Sequence, residues 1–471
     1  MQPCFRHHVT IMSDFLEHLF VSGWNRLQAR RAHSDSSQGG ALIGNIVIDG
    51  QISARVLRVP WLLLAMSVTI LGVTGSGKTR LIQSIIRQAL AASIGLVIFS
   101  LHPDLLPFFL ASVREREIRL GRLLTDWTIP ISLADETHSA VLNILRVVDP
   151  RRVFVMTSEI AEMLSARWQL HTLGVRTAEL LRNCLCALAL TQQTLCEARP
   201  FLVYANYRRS TLQAVAEPEV RSYFEDHYDR LSEAQQGAYR APVLNKLSEF
   251  TSVPQLRDVV GHSRSTFDFA DVLNQGRQLN IAAEKSFFGP QAATLLNLMF
   301  IKYANTIFSH AGQNLNLAIL DEAQNFQAAR QSLETCLTEG RKTRCGTIVA
   351  AQTAEQFDSE LRAALLGAGT QVFFRLSGPD AEVAARYLDG GKRLAERLRH
   401  LPQRHAIVKV AEQPWQEVVV PLVPEPSADY IDLYRRCRAR WLRPRAELEE
   451  ELNRRHAQFS TRTEQNLSDW E

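Results

Sequence analysis

The octapeptide Gly-Val-Thr-Gly-Ser-Gly-Lys-Thr at residues 72–79 constrains this 471-residue chain more than any other feature of its sequence. It fits the phosphate-loop pattern G-x-x-x-x-G-K-[ST], in which glycines let successive backbone N–H groups turn toward a phosphate. The apolar run 66–71 (MSVTIL) before it predicts a buried strand, and the apolar spacing after Lys78 predicts a helix. This order makes nucleotide binding the leading hypothesis. A glycine-rich turn without a ligand is the alternative.

The loop residues have distinct predicted roles toward a nucleotide. Lys78 is predicted to reach the terminal phosphates, and Thr79 to hold Mg²⁺ through its hydroxyl. A helix beginning at Lys78 would direct the positive end of its dipole at the bound anion. The predicted nucleotide-binding set is Gly72, Thr74, Gly75, Ser76, Gly77, Lys78, Thr79 and Arg80.

Polar side chains end two further apolar runs. Asp321 and Glu322 follow the run that begins at Asn316. Asp321 is predicted to hold Mg²⁺, and Glu322 to polarise the water that attacks the terminal phosphate. A solvated acidic pair is the alternative, although such pairs rarely follow an apolar strand without a role. The run 346–351 ends in Gln352, which is predicted to contact the terminal phosphate or the attacking water.

The order of loop, acidic pair and glutamine is similar to that of RecA-like motor ATPases. Several segments resemble the HerA/FtsK superfamily, and within it most closely the TraD/TraG-like coupling ATPases of conjugative type IV secretion. The segments that carry the resemblance are 321–326 (DEAQNF), 333–342 (LETCLTEGRK), 347–352 (TIVAAQ), 371–382 (QVFFRLSGPDAE), 100–105 (SLHPDL) and 241–277. Ser100 and Pro103 depart from that family's D-P-H-G-D-L, so the role of its acidic residue is not carried over.

The resemblance implies an α/β fold: a RecA-like P-loop NTPase with a mainly parallel central sheet flanked by helices, plus an inserted all-helical domain. It also implies ATP and Mg²⁺ as cofactors, a homohexamer with nucleotide at subunit interfaces, and DNA as the moved substrate. A neighbouring subunit would supply an arginine to the transition state, and Arg341 and Arg375 match family motifs that offer one. Lys285, in a loop after a core strand, is a candidate DNA contact.

Periodicity and composition divide the chain into five segments. Strands are predicted near 44–48, 66–71, 95–100, 127–132, 277–283, 316–322, 346–351 and 371–375, with a terminal hairpin at 404–422. Alternation of strands and helices favours a parallel sheet with its ligand at the carboxyl ends of the strands. The predicted segments are an N-terminal helix and linker (1–40), the first part of the ATPase core (41–152), a helical insertion (153–262), the second part of the core (263–424) and a basic then acidic tail (425–471).

The composition is that of an ordinary globular protein. Net charge, cysteine spacing and the length of the longest apolar stretch each limit the classes of protein that fit the sequence. The net charge of +4 is too small to establish a nucleic-acid partner. The seven cysteines show no C-x-x-C spacing, which favours reduced thiols over a disulfide framework or a zinc site. The longest apolar stretch, 59–73, is shorter than the ~20 residues of a spanning helix and contains Pro60, so no transmembrane segment is predicted.

The two terminal segments each leave a choice open. Apolar residues between Phe15 and Leu27 fit one face of an amphipathic helix, which would either pack on the protein or lie on a membrane surface. We therefore expect a cytoplasmic protein, with peripheral attachment at the inner face of the membrane as the alternative. The arginines between Arg435 and Arg445 would either bind phosphate backbones or pair with the protein's own carboxylates.

The sequence therefore predicts an ATP-hydrolysing DNA translocase, with a relaxase, a nuclease or a secretion protein as a further partner. Two alternatives stay open: a secretion-type ATPase that moves or remodels protein, and a nucleotide-gated binding module with little turnover. Glu322 argues against the last. An ABC transporter ATPase is disfavoured because no serine-glycine-glycine signature precedes Asp321, and a sugar or nucleoside kinase is disfavoured by the long helical insertion.

Overall fold

The computed structural model describes residues 39–147, 149–170, 175–309 and 314–468. Within these ranges, eleven of the strands form one sheet and two short strands pair separately. The strands are β1 (Ala41–Ile48), β2 (Gln51–Val59), β3 (Val68–Leu71), β4 (Gly95–Ser100), β5 (Thr128–Ser132), β6 (His138–Ser139), β7 (Gln278–Ala282), β8 (Asn316–Leu320), β9 (Cys345–Ala351), β10 (Thr370–Phe373), β11 (His405–Val410), β12 (Gln416–Val419) and β13 (Arg443–Pro444).

Helices connect most of these strands. The α-helices are α1 (Trp61–Leu64), α2 (Lys78–Ala91), α3 (Leu105–Leu120), α4 (Val153–Trp168), α5 (Val175–Leu190), α6 (Ala198–Val203), α7 (Ala205–Gln213), α8 (Pro218–Ser222), α9 (Glu233–Thr251), α10 (Pro254–Val260), α11 (Phe269–Gln275), α12 (Lys285–Phe288), α13 (Pro290–Ser309), α14 (Arg330–Glu339), α15 (Ser359–Leu366), α16 (Gly378–Tyr387), α17 (Gly391–Arg399), α18 (Ile431–Trp441) and α19 (Arg445–Ser468). A π-helical turn, Tyr223–Tyr228, follows α8.

Seven parallel strands form the centre of the large sheet, in the order β10-β3-β9-β8-β4-β7-β5. Every residue of β3, β4, β7, β8, β9 and β10 is buried, as expected for parallel strands covered on both faces. Four antiparallel strands, β11, β12, β1 and β2, extend the sheet beyond β10. Because the central strands run in one direction, the residues that follow them meet at one edge.

The segment between β6 and β7 is helical. Helices α4 to α11 lie in it, and α4 packs against α13 of the core. The buried carboxylate of Glu159 on α4 accepts hydrogen bonds from the backbone N–H of Ser332 (2.9 Å) and from the side chain of Asn305 (3.3 Å). These contacts join the helical segment to the core beside α14. The boundaries of a separate inserted domain stay a prediction.

The C-terminal arm, residues 424–468, packs along the β5 edge of the sheet and against the helical segment. Trp441 donates from its indole N–H to the carbonyl of Thr125 (2.9 Å). Arg445 pairs with Asp258, which lies on α10, at 2.6 Å. The arginines paired with carboxylates are Arg436 with Glu117 and Asp432, Arg438 with Asp135, Arg440 with Asp126, Arg443 with Glu451 and Arg445 with Asp258. Of the two roles considered for these arginines, the contacts favour pairing with the protein's own carboxylates.

The predicted strands correspond to observed ones, and their ends differ by at most three residues. The prediction at 95–100 coincides with β4, and the terminal hairpin is formed by β11 and β12. The sequence analysis missed β2, most of whose residues are exposed, so that it lacks the apolar run of a core strand. The predicted helix between Phe15 and Leu27 lies outside the described residues.

Six cysteines in the described ranges are buried free thiols, as predicted. Within the same ranges, no helix combines the length and the apolar character that a bilayer crossing requires.

The attachment of the C-terminal arm predicts a stability effect at Glu117. Burial works against its ionisation, but hydrogen bonds from Arg436 and the Leu124 N–H outweigh burial and hold the pKa of Glu117 below its ordinary value. Glu117→Gln would leave Arg436 without its buried partner and lower the free energy of unfolding by about 3 kcal/mol. Chemical denaturation measures the change.

The matched control is Glu249→Gln, because Glu249 forms a more exposed pair with Lys246 at 4.0 Å. That control should change the free energy of unfolding by less than about 0.5 kcal/mol. Equal effects of the two substitutions would contradict the importance assigned to the Glu117 contacts.

Candidate nucleotide-binding site

The phosphate loop lies between the ends of three neighbouring strands. It follows β3, and the Gly72 N–H donates to the carbonyl of Ala351 at the end of β9 (3.2 Å). The Val73 N–H donates to the carbonyl of Arg375, just beyond β10 (2.9 Å). The loop is therefore held on both sides by the parallel sheet, at the edge where its carboxyl ends meet.

Glycine is required at particular positions of this loop. Gly75 and Gly77 have φ values of +74° and +124°, a region that other residues rarely adopt. A Cβ on Gly72 would lie 2.6 Å from Cβ of Phe374, closer than such atoms approach. The backbone N–H of Arg404 donates to the carbonyl of Ser76 (2.8 Å), so the turn before β11 also braces the loop.

Lys78 begins α2 and its side chain folds back over the loop. Its Nζ donates to the carbonyls of Gly72 (2.5 Å) and Val73 (3.3 Å). Burial lowers the pKa of Lys78, and the negative charges of Glu322 and Asp321 act against that lowering. The amine therefore contacts the loop and lies within the electrostatic influence of the acidic pair, where it would compensate the charge of a phosphate.

The remaining predicted loop residues differ in exposure. Thr74 and Thr79 are exposed, and Thr79 is the second residue of α2. The buried hydroxyl of Ser76 has no hydrogen-bond partner in the part of the chain that the structure describes. Arg80 donates to the side-chain oxygen of Gln83 (3.0 Å) and forms an ion pair with Glu425 of the C-terminal arm.

Asp321 follows β8, two strands from the phosphate loop. Its carboxyl is buried, and burial raises its pKa, as does the negative charge of Glu322. His102 and Lys78 act in the opposite direction. A buried carboxyl with a raised pKa is one that a bound divalent cation would ionise, because the cation replaces the lost hydration.

Glu322 adopts a left-handed backbone conformation, with φ 56° and ψ 52°. This region is uncommon for residues other than glycine, and such strain often occurs at functional sites. Gln324 donates from its amide to the Glu322 carboxylate. Asn325 donates to the Glu322 carbonyl from both its backbone (2.9 Å) and its side chain (3.0 Å). The half-buried carboxylate is thus fixed by the residues that follow it.

Gln352 follows β9 directly and is half-buried. The pairing of Leu71 with Ala351 puts Gln352 next to the start of the phosphate loop. The structure therefore brings Lys78, Asp321, Glu322 and Gln352 to one edge of the sheet.

The two predicted arginines lie at opposite edges of the sheet. Arg375 follows β10 and is exposed beside its own phosphate loop. Arg341 precedes β9, at the amino ends of the strands. The seven residues of β9 span about 20 Å, so Arg341 does not reach the loop of its own subunit.

Sequence reasoning missed three residues that affect the acidic pair. They are His102, whose charge acts on Asp321, and Gln324 and Asn325, which hold Glu322. All three lie in segments that carry the family resemblance, so their position in these motifs is the sequence signal that could have identified them. Polar residue type alone does not show which atom a side chain contacts.

The residues present fit a nucleotide with Mg²⁺. Gly72 leaves no room for a Cβ, Gly75 and Gly77 have positive φ values, a hydroxyl without a partner among the described residues lies at Ser76, and the Lys78 amine lies over the loop. No cluster of three or more metal-ligating side chains occurs among the described residues. Mg²⁺ that is bound together with a nucleotide takes one or two protein ligands, with phosphates and waters completing its shell.

Comparison with known proteins supports the fold. No protein-family model matches the sequence, and no curated protein matches it. Among solved structures, the plasmid coupling protein TrwB in complex with the non-hydrolysable GTP analogue GDPNP has a TM-score of 0.59 at 18% identity, over 82% of this chain and 96% of that chain. TrwB in complex with ADP and Mg²⁺ has a TM-score of 0.59 at 17% identity, over 82% and 95% of the two chains.

VirB4 of Thermoanaerobacter pseudethanolicus has a TM-score of 0.54 at 13% identity, over 84% of this chain and 98% of that chain. At identities this low, the likeness concerns the fold. The chain has the fold of TrwB and VirB4, with a mainly parallel sheet flanked by helices and an additional helical segment. The predicted fold class is confirmed.

The geometry of the loop predicts that Lys78→Ala weakens nucleotide binding about 100-fold, because charge-assisted hydrogen bonds to phosphate are lost. Titration of a fluorescent ATP analogue in the presence of Mg²⁺ measures the affinity. Lys342→Ala is the matched control, since Lys342 is an exposed lysine paired with Glu339 at 3.0 Å. Unchanged affinity in Lys78→Ala would exclude the loop as the phosphate site.

Proposed function

We propose that this chain is an ATP-hydrolysing motor that moves DNA and works as a homohexamer with Mg²⁺-bound ATP at its subunit interfaces. The observation that carries the proposal is the convergence of Lys78, the Asp321–Glu322 pair and Gln352 at one edge of a parallel sheet. A phosphate loop alone supports binding. An acidic pair close enough to influence the Lys78 amine adds the groups that hydrolysis needs.

ATP and Mg²⁺ are the proposed cofactors. The TrwB complexes with ADP and Mg²⁺ and with an ATP analogue support this choice through the shared fold. Backbone N–H groups of the loop and the Lys78 amine would bind the phosphates. The Thr79 hydroxyl and the Asp321 carboxylate would hold Mg²⁺, which supplies charge neutralisation on the phosphate oxygens when bound.

Glu322 is the proposed base. Its carboxylate is fixed by Gln324 and lies near Lys78, where it would accept a proton from the attacking water. Gln352 would orient that water or contact the terminal phosphate. Since Glu322 acts on water and not on the bound phosphates, its loss should affect turnover much more than affinity.

The position of Arg341 supports an assembly of several subunits, and the resemblance to ring ATPases supports a hexamer. That arginine lies at the amino edge of the sheet, so only a neighbouring subunit could supply it to the site. An arginine supplied in this way is worth roughly 10³–10⁵ in rate in GTPases. Arg375, beside its own loop, would act within the same subunit.

The short helix α12, which follows β7 where the sequence predicts a loop, is the proposed DNA contact. Lys285 is exposed, and the side chain of Phe287 is 64% exposed. A cation and an exposed ring on one short helix would allow contact with a phosphate backbone and stacking on a base. Lys285 donates to Asn325 (3.0 Å), and Asn325 donates to the Glu322 carbonyl, so hydrogen bonds connect α12 to the acidic pair.

The fold is also compatible with a protein load, because fold does not determine what a motor moves. A relaxase, nuclease or secretion protein is the proposed further partner. We propose a cytoplasmic location. We also propose that the core consists of residues 41–152 and 263–424, with residues 153–262 as an inserted helical domain. A binding module with little turnover stays the least supported alternative, because the acidic pair would then have no role.

The direct test is ATP hydrolysis with and without DNA. We expect duplex or single-stranded DNA to raise the rate of the hexamer at least about tenfold, with Glu322→Gln abolishing turnover while ATP affinity changes by less than about threefold. Phe287→Ala should lose most of the stimulation and keep the basal rate. An ATP hydrolysis rate that no form of DNA changes would refute the proposal that the motor moves DNA. Stimulation of ATP hydrolysis by a secreted protein would favour a motor that moves protein.

The position of Arg341 predicts a subunit-mixing result. Arg341→Ala and Lys78→Ala should each be inactive alone, whereas a reassembled equal mixture should recover up to about a quarter of the wild-type rate. Recovery occurs because some interfaces then combine an intact loop with an intact arginine. A mixture of Arg375→Ala with Lys78→Ala should show no such recovery, and the absence of recovery with Arg341→Ala would contradict its action between subunits.

A further inference from the structure

A groove of about 560 Å³ opens beside Thr79 and Arg80, at the start of α2. Its other walls come from the first turns of α3 and from residues 424–430 of the C-terminal arm, which we call the strap. Sites for small organic ligands usually enclose about 300–1,000 Å³, so the groove is large enough for a nucleoside.

Three contacts hold the strap across α2 and α3. Arg80 forms an ion pair with Glu425, and Arg87 donates to the carbonyl of Pro424 (2.8 Å). The Ser427 N–H donates to the carboxylate of Glu115 on α3 (3.1 Å). These contacts fix the strap against α2 and α3, so the strap forms an ordered wall of the groove.

The chemistry of the walls suits a purine nucleoside. Phe108 and Tyr430 contribute aromatic rings, and Pro426 adds an apolar surface. Flat apolar and aromatic walls stack on a purine base. Asp104 supplies a carboxylate, which accepts hydrogen bonds from ribose hydroxyls.

The position of the groove relative to the phosphate loop determines what it would hold. Lys78 lies at the terminal phosphates of the proposed nucleotide, and the groove begins one residue further along α2, at Thr79. A nucleotide with its phosphates in the loop needs space for its ribose and base next to that point. The groove provides such a space.

We propose that this groove is the nucleoside subsite, in which the strap and Phe108 hold the base and ribose of the triphosphate bound by residues 72–79. The proposal rests on the proposed nucleotide-binding function and adds the part of the chain that recognises the base. It gives the C-terminal arm a role in ligand binding, more than 300 residues after the loop in sequence.

The experiment compares two ligands that share the phosphates but differ in the nucleoside: ATP and inorganic tripolyphosphate, each with Mg²⁺. Wild-type protein should bind ATP more tightly than tripolyphosphate. Tyr430→Ala should weaken ATP binding about tenfold and leave tripolyphosphate binding unchanged, since one stacking contact is lost. Ser427→Trp should fill the groove and have a larger effect of the same kind. Titration calorimetry measures each affinity.

Leu422→Ala is the matched control, because Leu422 is 70% exposed and precedes the strap. Unchanged tripolyphosphate binding also shows that each variant is folded. Equal affinities of the wild-type protein for ATP and tripolyphosphate, or parallel loss of both ligands in the variants, would overturn the subsite and leave the phosphate loop intact. Failure of the wild-type protein to bind either ligand would instead refute the proposed function itself.

Discussion

The position of the Lys78 amine is the constraint on which the rest of this structure depends. The amine is buried, it contacts two loop carbonyls, and it lies in the field of two carboxylates that follow a different strand. Burying a cation costs free energy unless negative partners compensate its charge. The Lys78 ammonium and the carboxylates of the acidic pair therefore stabilise each other. A parallel sheet provides the geometry, because strands of one direction bring their last residues to one edge.

The C-terminal arm completes this arrangement from the outside. It covers the β5 edge of the sheet, which would otherwise offer unpaired backbone groups to other chains. Its arginines pair with carboxylates of the core and of the helical segment. Arg445 connects the two, because it pairs with Asp258 of the helical segment and donates to the carbonyls of Leu133 and Asp135 in the core. The same arm then forms one wall of the groove beside α2. Its arginine-rich composition therefore reflects attachment to the body of the protein.

Much of the fold could be predicted because its signals are local. The loop pattern and the apolar runs before Lys78 and Asp321 lie within a few residues of what they specify. The amino-edge position of Arg341 was also open to inference, since it precedes a strand of a parallel sheet. The left-handed conformation of Glu322, the brace from Arg404 and the groove wall at Tyr430 arise from contacts between distant parts of the chain. No local pattern encodes such contacts, and β2 was missed because an exposed edge strand has no apolar run.

The central claim is that a triphosphate bound by Lys78 is hydrolysed with the help of Glu322. The most direct measurement is an electron cryomicroscopy structure of Glu322→Gln protein with ATP, Mg²⁺ and DNA. The account predicts a ring in which the terminal phosphate contacts Lys78, the residue at position 322 faces that phosphate, and Arg341 of a neighbour approaches it. Nucleotide bound away from residues 72–79, or position 322 facing bulk solvent in every subunit of the assembly, would contradict the account.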